Sequence, residues 1–271
     1  MKRYLLPLAL LPAACHPDQP AATAPPTAAP TSTATATTSP ASPVAAGDTL
    51  RLYDSLQHLA GVVRLRPSTR AAFDALRAND PLPTRPSEAQ NAADAPLPAD
   101  HRVRRQGNRL VFRPSQGPAV TLTPKPGSDE GPQGLEIGYY YWGSLPASHQ
   151  WVVDVVGDEG GSTALIDQRT GRRTDVLGYP AVSPDGRYLL STTEDVASGG
   201  LPTALTLYHL RDGQLGAQVW TRDLTEWGPY RARWRDARHV LLERHYPPQD
   251  GLITSPASPP TFDELELPAR P

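Results

Sequence analysis

Between His101 and Tyr246 a short module recurs, a tight turn that opens into an apolar strand. Its sharpest copy is Ala181-Val182-Ser183-Pro184-Asp185-Gly186-Arg187-Tyr188-Leu189-Leu190-Ser191. Ala232-Arg233-Trp234-Arg235-Asp236-Ala237-Arg238-His239-Val240-Leu241-Leu242 fits the same frame, as do Ser148-His149-Gln150-Trp151-Val152-Val153 and Gly107-Asn108-Arg109-Leu110-Val111-Phe112. Two copies carry a second strand before a second turn: Thr163–Asp167 before Arg169-Thr170-Gly171-Arg172, and Thr203–Leu207 before Arg211-Asp212-Gly213. The period is about forty residues, the length of four short strands. A chain built this way folds as antiparallel meanders, because each strand is too short to bury its apolar face alone and is joined to the next by a few turn residues.

Ser183-Pro184-Asp185-Gly186 is a structural turn on chemical grounds. Pro184 presets φ, Asp185 bonds the turn backbone and Gly186 tolerates positive φ. With Arg187-Tyr188-Leu189 it resembles the turn of bacterial WD-repeat-like β-propellers, where Ser-Pro-Asp-Gly-(Lys/Arg) leads into a buried strand. That resemblance implies a mainly β fold of antiparallel meander sheets, a small or incomplete propeller of about four degenerate modules over residues 101–247. A single twisted antiparallel sheet remains open beside it. Residues 248–271 form a C-terminal tail, with room for an edge strand.

Ahead of this domain the composition changes twice. From Pro17 to Gly47 the chain is almost entirely Ala, Pro, Thr and Ser, with no large apolar side chains to offset the ordering entropy. Residues 16–48 are therefore expected to be a disordered spacer. In residues 49–80, Leu52, Leu56, Leu59 and Val63 recur at helical spacing, and Ala72, Phe73 and Leu76 do so again before Asn79-Asp80-Pro81. The spacing predicts a short helical hairpin. Residues 81–100, rich in Pro, Ala and Asp, read as a second linker.

The N-terminus reads Met1-Lys2-Arg3-Tyr4, a run of apolar residues from Leu5 to Ala14, then Cys15. Two cations before an apolar run too short to span a bilayer make a secretory signal. Leu11-Pro12-Ala13-Ala14-Cys15 resembles the lipobox of bacterial lipoproteins, with Pro12 where a branched aliphatic residue is usual. The resemblance implies cleavage before Cys15 and acylation of its thiol and new amine, by palmitate or similar chains. His16 in place of Asp implies the outer rather than the inner membrane. Cys15 is the single cysteine of the chain, so the domain has no disulfide and no thiol nucleophile. More than one acyl chain gives stable anchoring at about 0.8 kcal/mol per buried CH₂.

The formal net charge is −2, which provides no basic excess for phosphate backbones, and nucleic acid is not an expected partner. The expected partners are the membrane, through the anchor, and another envelope protein or a glycan. Tyr139-Tyr140-Tyr141-Trp142 is the most unusual local feature. On a strand Tyr139 and Tyr141 share one face and Tyr140 and Trp142 the other, so that one pair is core and the second is available as an exposed aromatic platform. The alternative is that both faces are covered. Trp227, Arg231 and Trp234 extend this candidate surface.

Asp154, Asp158 and Glu159 are candidate oxygen ligands for a hard cation, without EF-hand spacing; a solvated hairpin loop is the default, and no metal or cofactor is expected. His239, Glu243 and His245 share parity on a strand, a possible acid/base set with an exposed polar face as the simpler account. No Gly-x-Ser-x-Gly elbow, P-loop or dinucleotide fingerprint is present. The expectation is a non-catalytic binding domain. The alternatives are an envelope hydrolase with a dispersed site and a purely structural envelope factor.

Overall fold

A computed structural model describes residues 49–83, 85, 97, 100–125, 137–157, 160–195, 201–247 and 258–268. All of them belong to the unit Pro43–Pro271; the other unit, Met1–Ser42, lies outside the described residues. So do the signal segment, Cys15, the spacer, residues 86–96 of the expected linker and residues 248–257 of the tail. No helix among the described residues is long and apolar enough to cross a membrane.

The fold is mainly β, with antiparallel pairing throughout the described strands. Strands β3 (Val103–Gln106), β4 (Arg109–Phe112) and β5 (Val120–Leu122) form one small sheet in chain order. Next comes a four-stranded meander, β6 (Gly138–Leu145), β7 (Gln150–Gly157), β8 (Gly160–Asp167) and β9 (Arg173–Val176). A second follows, β10 (Tyr179–Val182), β11 (Tyr188–Thr193), β12 (Ala204–Arg211) and β13 (Gln214–Asp223). Then β14 (Gly228–Trp234), β15 (His239–His245) and β16 (Thr261–Glu266) run in order and are completed by β2 (Leu59–Pro67) and β1 (Thr49–Tyr53) from the start of the unit. Because β1 meets β13 at Tyr53↔Thr221, these last two groups are one nine-stranded sheet, ordered β10-β11-β12-β13-β1-β2-β16-β15-β14. Its two end strands approach one another, and the Trp234 indole of β14 donates to the Ala181 carbonyl of β10 at 3.0 Å. The sheet is thus nearly closed and barrel-like.

The repeat read from the sequence is real in register. All four copies of its turn sit between the first and second strands of a group: β3–β4, β6–β7, β10–β11 and β14–β15. The sharpest is held as its chemistry requires. Ser183 Oγ donates to Asp185 (2.7 Å) and accepts from the Tyr188 amide (3.0 Å), while Gly186 sits at φ +68°. The second turns, Arg169–Arg172 and Arg211–Gly213, likewise fall at β8–β9 and β12–β13.

Apolar alternation decides which faces meet. Tyr139, Tyr141, Trp151 and Val153 point to one side of the four-stranded sheet, against Val103, Leu110 and Phe112 of the small sheet. Trp142, Val152 and Leu165 point to the other, against Leu190, Leu205, Leu207 and Trp220 of the nine-stranded sheet. Burying one such Trp removes roughly 150–250 Å² from water, about 4–6 kcal/mol before entropy is counted. With both faces of β6 covered, Tyr139-Tyr140-Tyr141-Trp142 is not a flat exposed platform. That expectation is corrected: Tyr139, Tyr141 and Trp142 are buried and Tyr140 is half-buried.

The helical hairpin is corrected too. Residues 49–67 are the β-hairpin β1–β2, closed by Asp54, whose carboxylate accepts from the Leu56 and His58 amides at 2.8 Å each. Those amides hold the Asp54 carboxyl below its ordinary pKa, the His58 bond foremost. The helical spacing is coincidental, since Leu56 and Leu59 are 73% and 58% exposed. The buried set is Leu50, Leu52, Val63 and Leu65, which alternates at period two. The second half of the expectation holds in shortened form. Helix α1 (Arg70–Ala75) is capped by Thr69, which accepts from the Ala72 amide at 3.1 Å, and a 3₁₀ turn Arg77–Asn79 follows. Phe73 is buried against Leu241 and Phe262, with Ala72 and Leu76 beside it. The edge strand expected in the tail is β16, and it is interior, paired with β15 on one side and β2 on the other.

Candidate functional site

After the 3₁₀ turn the chain runs as Asp80-Pro81-Leu82-Pro83, and this stretch lies where β6, β10 and β14 face one another. Leu82 is buried in the main core, and the Pro83 carbonyl accepts the Trp142 indole at 3.0 Å. Two prolines keep the stretch extended and remove two amide donors that would need partners there. Asp80 is the central group. Its side chain is 6% exposed and accepts the Tyr179 hydroxyl of β10 and the Leu82 amide (3.2 Å). It also pairs with two cations of β14, Arg233 Nε at 3.6 Å and Arg231 Nε at 3.8 Å. One carboxylate therefore bridges the end strands of the nine-stranded sheet. Burial and the Asp80 charge raise the Tyr179 hydroxyl far above the ordinary tyrosine value, so it stays protonated and donates.

Beside this seam opens a cavity of about 190 Å³. Trp142 of β6, Tyr179 of β10 and Tyr230 and Arg231 of β14 line it, with Arg85, Thr192, Thr193 and Glu194 around them. At the other end of the same three strands a second depression is lined by Leu145 and Pro146, by Val182 to Pro184, and by Arg235. The Trp142 and Tyr179 rings meet edge-on, 5.1 Å between centroids, and the Arg231 guanidinium lies over Tyr179 at 4.9 Å.

The charges of the cavity are mostly paired. Arg85 binds Asp154 through Nε (2.9 Å) and through a second, shorter bond from Nη2. Glu194 pairs with His245 Nδ1 at 3.2 Å, and Glu243 faces the other ring nitrogen at 3.5 Å. The His245 ring is stacked on Tyr230, 4.4 Å between centroids and 12° between planes. Arg231 is different. Its side chain is 16% exposed, and its one ion pair among the described residues is the 3.8 Å approach to Asp80.

The Glu194 and Glu243 carboxylates push the His245 pKa from 6.5 up to about 9, against the opposing effect of burial. A folded-state pKa above the unfolded one stabilises the fold fully below pH 6.5, and this contribution is lost as pH rises through 9. We therefore expect the midpoint of thermal unfolding to fall between pH 6.5 and 9, and the fall to be smaller in His245→Gln. Parallel pH profiles of the two proteins in scanning calorimetry would refute it.

Of the residues singled out in the sequence, the structure brings Trp142 and Arg231 into one cavity. Trp227 and Trp234 are buried in the core instead, Trp227 beneath the Arg244 guanidinium at 4.1 Å. Asp154 is buried and committed to Arg85, so it is not an open metal ligand; Asp158 and Glu159 lie outside the described residues. Among the described residues no three His, Cys, Asp or Glu side chains are gathered as a metal site. Glu243 and His245 do meet, but His239 does not join them: it binds Asp236 at 2.8 Å and faces Glu266. The sequence reading missed Asp80, Arg85, Tyr179, Thr192 and Glu194. Asp80 followed by two prolines was the one signal of them, and it reads equally well as a helix stop. Comparison with family models, with curated proteins and with solved structures finds no match to this chain.

Proposed function

We propose that this chain is an exported lipoprotein, acylated at Cys15, whose β domain is a non-catalytic binding module facing the cell envelope. The observation that carries the binding half is the cavity where Trp142, Tyr179, Tyr230 and Arg231 converge from the first strands of three successive strand groups. The same convergence supports a small propeller-type arrangement of four modules, with the Asp80–Pro83 stretch along its centre. In such folds the first strands surround the axis and ligands meet its open end. The lipobox resemblance and the Ala/Pro/Thr/Ser spacer support an anchored domain with reach. A protein partner is favoured over a glycan, because most rings of the cavity are covered and only Tyr230 among them is widely exposed, at 46%. The enzyme alternative has His245, Glu194 and Glu243 as its best support. A histidine held protonated between two carboxylates is a poor general base at neutral pH.

Two measurements test the proposal. Cells fed an alkyne fatty acid should label the wild type and leave Cys15→Ser unlabelled; equal labelling would remove the anchor. A photo-crosslinking amino acid at position 230 should give a discrete adduct with an envelope protein, and the same group at Leu177, also exposed, should not. Identical patterns at both positions would remove the cavity mouth as the contact.

A further inference from the structure

Two residues that line the cavity carry donors without hydrogen-bond acceptors among the described residues. Thr192 is 2% exposed, and its hydroxyl makes no hydrogen bond among the described residues. The Arg231 guanidinium, with five N–H donors, makes none among them either, since its approach to Asp80 at 3.8 Å is too long for one. Asp80 is already taken up by the Tyr179 hydroxyl and the Leu82 amide. The other charges of the cavity, Arg85 and Glu194, have close partners of their own. An unsatisfied hydroxyl in a buried site costs roughly 1–3 kcal/mol, and a guanidinium whose one ion pair among the described residues is a 3.8 Å approach still has donors to offer. Two such groups lining one cavity of about 190 Å³ amount to a preformed donor set for an acceptor from outside.

The geometry points to an oxyanion. We infer that the cavity takes a carboxylate or phosphate group attached to a flat or apolar body. The planar Arg231 fork receives the oxygens and Thr192 donates a further bond. The Trp142, Tyr179 and Tyr230 rings contact the body of the ligand. This rests on the binding-module proposal above and specifies the ligand chemistry of its site. The guanidinium is already fixed over Tyr179, so little side-chain entropy is lost when the anion arrives. Glu194 is engaged by His245 through a 3.2 Å pair, in which the ring also faces Glu243.

The test uses the purified full chain and three single-ring probes: benzoate, phenyl phosphate and neutral benzyl alcohol. Ligand-observed NMR titrations run to about 10 mM, the range in which fragments of this size bind. At least one anion should bind about ten times more tightly than benzyl alcohol, as a charge-assisted bond requires, and which anion does so separates the carboxylate from the phosphate. Arg231→Gln should abolish the difference. Thr192→Val should reduce anion affinity about tenfold or more, as loss of one hydrogen bond to a charged acceptor does. Because Arg231→Gln also touches the Asp80 seam, Arg231→Lys serves beside it; it keeps the charge, loses the fork, and should lose anion affinity while its unfolding midpoint holds. Equal binding of benzyl alcohol and the anions would overturn the oxyanion assignment and leave the binding module standing. So would an Arg231→Lys protein with unchanged anion affinity. Absence of anion binding at about 10 mM alongside a crosslink at position 230 would do the same; absence of both would overturn the two together.

Discussion

Asp80→Ala is expected to lower the thermal unfolding midpoint by about 10 °C, the cost of roughly 3–5 kcal/mol at about 2–4 °C per kcal/mol for a domain of this size. The carboxylate faces two guanidinium groups that remain mostly out of water, Arg231 at 16% and Arg233 at 4% exposure, and Arg233 has a second carboxylate in Asp74 at 3.3 Å. It also accepts the Tyr179 hydroxyl. Without it Arg231 loses its one ion pair among the described residues while held mostly out of water, and β10 loses one of its bridges to β14. The loss is larger than for an exposed pair such as Arg66–Glu266, where the ions are hydrated and the median contribution is below about 1 kcal/mol. Asp80→Ala combined with Arg231→Met should recover part of the loss, because the stranded charge is then gone. Equal midpoints for Asp80→Ala and Glu266→Ala in scanning calorimetry would show that the seam is not held electrostatically.

Gly178→Ala is the second large effect, expected at about 3–5 kcal/mol in urea unfolding. Gly178 turns the chain from β9 into β10 at φ +72°, where a side chain is strained. A Cβ there would also lie 1.9 Å from the Thr192 carbonyl oxygen, a backbone atom that cannot swing aside. The turn is pinned from both sides, since Thr163 donates to the Gly178 carbonyl at 2.6 Å and Ser191 donates to the Leu177 carbonyl. Gly107 is the internal control. It has φ +61°, but a Cβ would meet nothing within 4 Å, so Gly107→Ala should cost only the strain, about 1 kcal/mol. Comparable losses at the two positions would show that φ alone governs both. Gly178 and Thr192 line the cavity as well, so relaxation around the added methyl in Gly178→Ala should weaken ligand binding before the fold is lost.

Local chemistry was legible and long-range pairing was not. Ser183-Pro184-Asp185-Gly186 identified its turn because Pro, Asp and Gly act on their own backbone within four residues. The forty-residue spacing identified the strand groups, since each turn recurs at the same step of a meander. Residues 49–67 misled because Leu52, Leu56, Leu59 and Val63 satisfy a helical period while Leu50, Leu52, Val63 and Leu65 satisfy a strand period. Pairing with β16, some two hundred residues away, selected the second. Tyr139-Tyr140-Tyr141-Trp142 showed its two faces correctly, and only the packing of sheets on both sides decided that neither is bare.

The residues alone therefore determined a mainly β, antiparallel, meander-built domain and the structural role of the Ser183–Gly186 turn, because those depend on alternation and on chemistry within a few residues. Tertiary structure decided the rest. Asp80, Tyr179, Thr192 and Arg231 are scattered over some 150 positions, each ordinary in its own stretch. Closing one sheet around Asp80–Pro83 set a buried carboxylate against two cations, and left Arg231 and Thr192 with donors that no described neighbour accepts. A group's unmet hydrogen bonds are a property of everything packed around it, and no local pattern in the chain records them.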